Sequence, residues 1–303
     1  MCIFRKEGCI VVAVTSFFGM VAFKKYRKLF LCGVVTSILS VILISGIYMK
    51  AEGIPQGPIK EGMSIPLQQT ARYVKDHFEE ITPEEAAVLQ RVFTADLNEM
   101  KSLYNPDIAD PVKTSFLSYP TVEEVKDYLN IWFQQMLKHP ETYVQAFLHH
   151  VYGYFYPDKY DPTQETIGVF DLVSHEGINI AFGIKNNFCR ELLEEYAKLT
   201  RQIPVLCMFY GPGTYVWILM GCIIFSWSKN RKKELFFFIP SCCILFFCLM
   251  SPVDACLRYT LPIVISLPVQ IAWLYSQQTL QQAPWSATRY RSGGSLEDET
   301  HED

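Results

Sequence analysis

The sequence predicts an α-helical, polytopic membrane protein with about five transmembrane helices and a mainly helical extracytoplasmic domain between the second and third. Three observations carry this expectation. Apolar runs at Cys9–Phe23 and Leu29–Tyr48 precede a long polar stretch, and runs at Val205–Trp227, Leu235–Met250 and Thr260–Tyr275 follow it. An apolar helix of about 20 residues crosses a bilayer core, and a chain in lipid must satisfy its backbone groups internally. Basic clusters flank the runs in a consistent register. Half of the 303 residues are hydrophobic, and this apolarity is concentrated in the runs rather than spread along the chain.

The first two runs are joined by Lys24-Lys25-Tyr26-Arg27-Lys28, and the third and fourth by Ser228-Lys229-Asn230-Arg231-Lys232-Lys233. Retained cytoplasmic loops carry an excess of Lys and Arg, so both connections are expected inside. The predicted organisation is two spans in residues 1–48, an extracytoplasmic domain in 49–204, three spans in 205–275 and a disordered cytoplasmic tail in 276–303. The short loop Ser251–Arg258 then faces outside, and the location is the plasma membrane. Met1 is also placed outside. An odd number of spans with an uncleaved outer start predicts a missing N-terminal membrane portion or a partner subunit. The N-terminal run ends in a basic cluster with no small-residue cleavage site, so it reads as a span, not a signal peptide.

Within the polar domain the helical signals outweigh the strand signals. Pro66–Glu80 places Leu67, Ala71, Val74 and Phe78 at helical spacing. Thr82-Pro83-Glu84-Glu85 is a capping box with Pro at the first helical position, opening a helix to about Phe93. Thr121-Val122-Glu123-Glu124 repeats the box and opens a helix to Lys138, with Val125, Leu129, Trp132, Phe133 and Met136 as its apolar face. His139-Pro140 restarts the chain into a helix to about Phe155, and Asn186–Arg201 is the last helix of the domain. Leu103–Tyr119 and Tyr156–Lys185 read as loops, with a short strand at Ile167–Val173.

The net charge of −4 gives no sign of a nucleic-acid partner, whose binding domains usually carry a basic patch or stripe, and none is expected. Neither a zinc-finger, P-loop nor dinucleotide-binding spacing is present, so no metal and no cofactor is expected. Cys9, Cys32, Cys222, Cys242, Cys243 and Cys248 lie inside apolar runs, where Cys behaves as a small hydrophobe, and Cys2, Cys189, Cys207 and Cys256 lie outside or at the edges. None forms a CxxC pair. Cys207 and Cys256 are the pair whose positions leave a bridge open.

Candidate chemistry falls in a few places, each with a plainer alternative. Gln68 and Arg72 share one helix face, and Gln69 and Arg72 are also neighbours. Two amides and a guanidinium suit a phosphate or sugar hydroxyls; an ordinary solvated face has the same pattern. Asp254 and Arg258 stand at the outer mouth of the last two spans, where charge is costly and tends to be paired or functional. Arg258 suits a lipid phosphate with Asp254 orienting it, or a snorkelling interfacial Arg with Tyr259 as a belt residue. The aromatics Tyr143, Phe147, Tyr152, Tyr154, Phe155 and Tyr156 suit sugar stacking or simple packing. His149-His150 lacks metal-ligand spacing. Asp158, Asp161 and Glu165 fit an Asp/Pro turn as well as an acid/base pair.

Three stretches carry a resemblance: Ile65-Pro66-Leu67-Gln68-Gln69-Thr70-Ala71-Arg72 with Tyr104-Asn105-Pro106 and Asp110-Pro111-Val112-Lys113; His139–Tyr143 leading to Tyr152–Asp158; and Ser251-Pro252-Val253 with Arg258-Tyr259 and Leu261-Pro262. Together they resemble a family of large bacterial membrane proteins common in Gram-positive species, over roughly Met49–Ile271. The overall plan resembles the C-terminal part of multi-pass GT-C-class glycosyltransferases, which use polyprenyl-phosphate sugars at the outer membrane face. That resemblance implies displacement of a lipid-linked phosphate by an acceptor hydroxyl, with membrane lipids and a polyprenyl-phosphate sugar as partners. Arg258 and Arg72 would bind phosphate, and Gln68 and Gln69 sugar or acceptor. The class places a catalytic Asp in an early outer loop that this chain lacks, so no catalytic residue carries over. An accessory membrane protein whose outer domain binds a partner or cell-envelope polymer is the alternative.

Overall fold

The computed structural model describes residues 7–54, 57–159, 203–231 and 234–282, with isolated residues between 192 and 200. The expected strand at Ile167–Val173, most of the expected helix Asn186–Arg201, and residues 283–303 of the expected tail lie outside the described residues, whereas residues 276–282, expected to begin a disordered tail, continue the last helix. Within them the protein is helical, and only isolated β-bridges occur, such as Phe93 with Phe116.

Helices α1 (Glu7–Ala22) and α2 (Arg27–Val41, continuing through a π-helical stretch Ile42–Tyr48 to Ala51) form an antiparallel hairpin. Small residues let them approach: Gly33 meets Ser16, and Gly19 faces the Phe30 ring with no room for a Cβ. The Arg27 side chain donates to the Met20 carbonyl at 3.0 Å, satisfying an end group of α1 that has no partner within the helix.

The polar domain is built by α3 (Ser64–Asp76), α4 (Pro83–Val92), α5 (Leu97–Leu103), α6 (Asp110–Ser115), α7 (Val122–Lys138) and α8 (Pro140–Val151). Both capping boxes form: Thr82 Oγ1 accepts from Glu85 N, Thr121 Oγ1 from Glu124 N, and each Glu reaches back to the cap amide. Leu67, Ala71, Val74, Leu89, Val92, Met100, Val112 and Tyr128 make the core. Each fully buried aliphatic side chain contributes about 1.5–3 kcal/mol.

Two expectations are corrected here. The segment expected as a loop from Leu103 to Tyr119 contains α6, whose Val112 enters the core. Asp110 and Pro111 in the first turn of this helix are the local cause. The apolar face of α7 differs in part: Tyr128, Ile131 and Gln135 are buried and Val125, Trp132 and Met136 half-buried, whereas Leu129 and Phe133 are exposed. The buried face is chosen by polar tips that find partners. Tyr128 Oη lies 3.0 Å from Thr70 Oγ1, and Tyr143 Oη donates to Gln135 Oε1 at 3.4 Å.

Helices α9 (Pro212–Ser228), α10 (Ile239–Leu249) and α11 (Leu257–Gln282) form the second apolar group, packed through Leu219, Phe238, Ile263, Leu267 and Leu274. Gln270 donates to Ser241 Oγ at 2.9 Å and to the Phe237 carbonyl at 3.2 Å, a polar link between α10 and α11. The rings of Phe23 and Phe30 meet Phe236, with centroids 5.2 and 5.6 Å apart. That contact brings the two basic connections, through their described residues 24–28 and 229–231, to the same end of the helix group. The polar domain joins the opposite end.

Two helices are long and apolar enough to cross a membrane, Lys24–Ala51 and Leu257–Ser276. Gly8–Ala22, Pro212–Ser228 and Glu234–Leu249 are shorter apolar helices.

Thr121→Ala deletes the α7 cap and is expected to cost about 1 kcal/mol. The measurement is amide exchange over Glu123–Val125, which should accelerate in Thr121→Ala and stay near wild type in Thr121→Ser.

Candidate functional site

The polar domain is fastened to the helix group by the loop Ser251–Cys256, which leads into α11. Its centre is Asp254, completely buried. One carboxylate oxygen accepts from Gly153 N at 3.0 Å and pairs with Lys159 Nζ at 3.0 Å; the other accepts from Ala255 N at 2.7 Å. Lys159 also pairs with Asp107, and its ammonium lies 3.6 Å from the centre of the Tyr152 ring. Burial disfavours the Lys159 charge, but Asp107, Tyr152 and Asp254 outweigh it and hold the ammonium above its ordinary range. Ala255 adopts φ 52°, a left-handed conformation that directs the loop into this contact.

Around the ion pair the backbone is knitted. Asp254 N donates to the Asp107 carbonyl at 2.9 Å and Ala109 N to the Pro252 carbonyl at 2.7 Å. Ile108 bridges Val253. The His150 ring nitrogens lie 3.1 Å from the Pro106 carbonyl and 2.9 Å from that of Ser251. Tyr154 Oη donates to the Val253 carbonyl at 3.0 Å, and burial pushes this phenol above its usual range. On the far side Trp217 Nε1 donates to the Phe155 carbonyl at 2.7 Å. A Cβ on Gly213 would stand 2.6 Å from the Tyr156 carbonyl carbon, so α9 docks here only through glycine.

Arg258 lies one turn beyond this clasp, exposed at the head of α11. Its guanidinium sits over the Tyr259 ring at 5.1 Å and donates to Tyr259 Oη at 3.3 Å. No carboxylate pairs with it among the described residues. Asp254 therefore does not orient Arg258; its oxygens are taken by Lys159 and two amides.

The residues expected on α3 are not gathered into one open set. Gln68 and Gln69 are buried. Gln68 Nε2 donates to the Asn105 carbonyl at 2.6 Å, Gln69 Nε2 to the Tyr143 carbonyl at 3.1 Å, and Trp132 Nε1 to Gln69 Oε1 at 3.1 Å. These amides replace backbone partners inside the domain. Arg72 pairs with Asp76 and lies 5.5 Å from the Tyr104 ring centre.

Of the aromatic residues, Tyr143 and Tyr154 are core, while Tyr152 and Tyr156 are exposed. No disulfide joins Cys207 and Cys256; the Cys207 thiol donates to Asp158 Oδ1 at 3.4 Å. Asp161 and Glu165 lie outside the described residues.

A second cluster forms where the end of α3 meets the α7–α8 corner. His77 and His139 stack with centroids 3.7 Å apart and planes inclined by 18°. Glu80 faces both: Oε1 is 3.2 Å from His77 Nδ1, and Oε2 is 3.0 Å from His139 Nε2 and 3.1 Å from Lys138 Nζ. Hydrogen bonds from His139, Lys138 and His77 hold the Glu80 carboxyl down at about 2, and Glu80 with Glu141 raises His139. The sequence carries only faint signs of this cluster, a His-x-x-Glu spacing at 77–80 and a His-Pro break at 139–140.

A protein-family model described as a family of unknown function, DUF6020, matches residues 1–288. The chain belongs to this family. Neither a curated protein nor a solved structure matches it. The match runs through both apolar groups and the polar domain, so the clasp between them lies wholly within this DUF6020 member.

Replacing Lys159 by Met leaves the Asp254 carboxylate buried without its cation, which is expected to destabilise the protein by about 3–5 kcal/mol. A double-mutant cycle with Asp254→Asn, read by unfolding of the full chain in detergent, should show strong coupling. Additive losses would mean that the pair does not fasten the clasp.

Proposed function

We propose that this protein is a five-span integral membrane protein of the plasma membrane that acts on lipid-linked sugars at the outer face. In this reading it corresponds to the C-terminal portion of a GT-C-like glycosyltransferase, and Arg258 holds the lipid phosphate. The observation that carries the reading is the position of Arg258. It is an exposed guanidinium without a carboxylate partner among the described residues, set at the head of an apolar helix and beside a rigid clasp.

Several features support it. Large apolar side chains such as Ile265 and Val269 on α11 are 70 and 71% exposed, a surface suited to lipid. The two basic connections share one end of the helix group and the polar domain holds the other, in agreement with cytoplasmic loops rich in Lys and Arg. Arg recognises phosphate through a planar fork of N–H donors. Seated over Tyr259, the Arg258 guanidinium is presented at headgroup level, where it would neutralise a leaving phosphate. Arg72, paired with Asp76, is the weaker phosphate candidate, and Gln68 and Gln69 support the domain that flanks the site.

One observation favours a second reading, an accessory membrane protein whose outer domain binds a partner or envelope polymer. Asp254, the carboxylate nearest Arg258 in sequence, is buried and committed to Lys159, Gly153 and Ala255, so it is not placed to act as a base.

The test compares Arg258→Ala with wild type in the cell that makes the protein and in nanodiscs. The lipid-sugar reading expects weaker polyprenyl-phosphate binding, by about tenfold or more for the loss of a charge-assisted contact of 1.5–3 kcal/mol, with Arg258→Lys intermediate. It also expects a changed pool of lipid-linked sugar with the folded protein still present. An unchanged pool and unchanged binding would favour the accessory reading.

A further inference from the structure

The His77–Glu80–His139 cluster lies away from the clasp and has no part in the lipid-sugar reading. We propose that it is a binding site for a divalent transition-metal cation, zinc foremost, joining the end of α3 to the α7–α8 corner. The three ligand atoms stand within 4.8 Å of one another, and two imidazoles with one carboxylate form a recurrent zinc donor set.

The surroundings of each histidine are those of a ligand. His77 turns Nδ1 towards Glu80, and its other nitrogen, Nε2, lies 2.9 Å from Thr142 Oγ1. His139 turns Nε2 towards Glu80, and its Nδ1 lies 3.2 Å from Glu141 Oε1. Outer partners of this kind fix ring orientation and tautomer in metal-bound histidines. The inward nitrogens face the two oxygens of one carboxylate, and a cation placed among them would require those nitrogens unprotonated.

Capture requires movement that the site permits. Zinc ligands lie about 2.0–2.2 Å from the ion, so the stacked rings must fan apart and close inward by roughly an ångström. Lys138 must release Glu80 Oε2; its side chain is 43% exposed, as is that of Glu80. Glu80 therefore borders solvent, and water can complete four-coordination on that side. The competing account is an ion network in which Lys138 and two histidines neutralise Glu80 without a metal. The bound metal would cross-link three helices of the domain without a disulfide.

The test uses the full-length protein in detergent, purified through a tag that contains no histidine, stripped with a chelator and titrated with zinc against a chromogenic chelator. The expected result is one tight equivalent per chain, absent in the His77→Gln/His139→Gln variant and retained in His149→Ala. Glu141→Gln and Thr142→Val should each weaken binding by about tenfold or more. Amide exchange over α3 checks that the variants stay folded, and the wild-type titration decides the matter even where they do not. Absence of a stoichiometric equivalent in wild type would overturn the proposal. So would equal binding by wild type and the double-histidine variant, or loss of the equivalent in His149→Ala.

Discussion

The contact on which the rest of the structure depends is the buried carboxylate of Asp254. It takes donors from Gly153 at the end of α8, Lys159 beyond it and Ala255 in its own loop. Lys159 extends the contact to Asp107, next to α6. One charge thus ties three parts of the polar domain to the loop that begins α11. Taking such a charge out of water is costly, and the ammonium and amides compensate only while all of them stay in place. The clasp is therefore cooperative, and it determines which surface of α11's head remains open.

That constraint sorts the polar side chains into two kinds. Gln69, His150 and Tyr154 spend their polar atoms on backbone carbonyls and neighbouring side chains, and Gln68 its Nε2 on a backbone carbonyl, so they hold the domain together. Arg258 and the His77–Glu80–His139 cluster retain exposed edges and partners that can exchange. The glycines at 153 and 213 belong to the first, because a Cβ at either would collide with the opposing segment.

Much of the polar domain was legible from sequence because its signals are local. Thr82 and Thr121, each followed three residues later by Glu, mark the starts of α4 and α7, and Leu67, Ala71 and Val74 mark the buried face of α3. What the sequence concealed depends on contacts between distant residues. The face that α7 buries follows from partners for Tyr128 and Gln135 that lie on α3 and α8. The pairing of Asp254 with Lys159 spans a long stretch of chain, so the expected link from Asp254 to Arg258, four residues away, gave way to it. His77 and His139 meet only because two helix ends converge. The two basic connections were legible as charge clusters; their common location rests on Phe23, Phe30 and Phe236.

The account requires the polar domain and the basic connections to face opposite sides of a membrane. Single cysteines introduced by Glu123→Cys in the polar domain and Asn230→Cys in the basic connection can be labelled in intact cells with a membrane-impermeant maleimide, with each site read by mass spectrometry. The account predicts that position 123 labels from outside and that position 230 labels only after permeabilisation. Equal labelling of both positions in intact cells, or the reverse order, would contradict it.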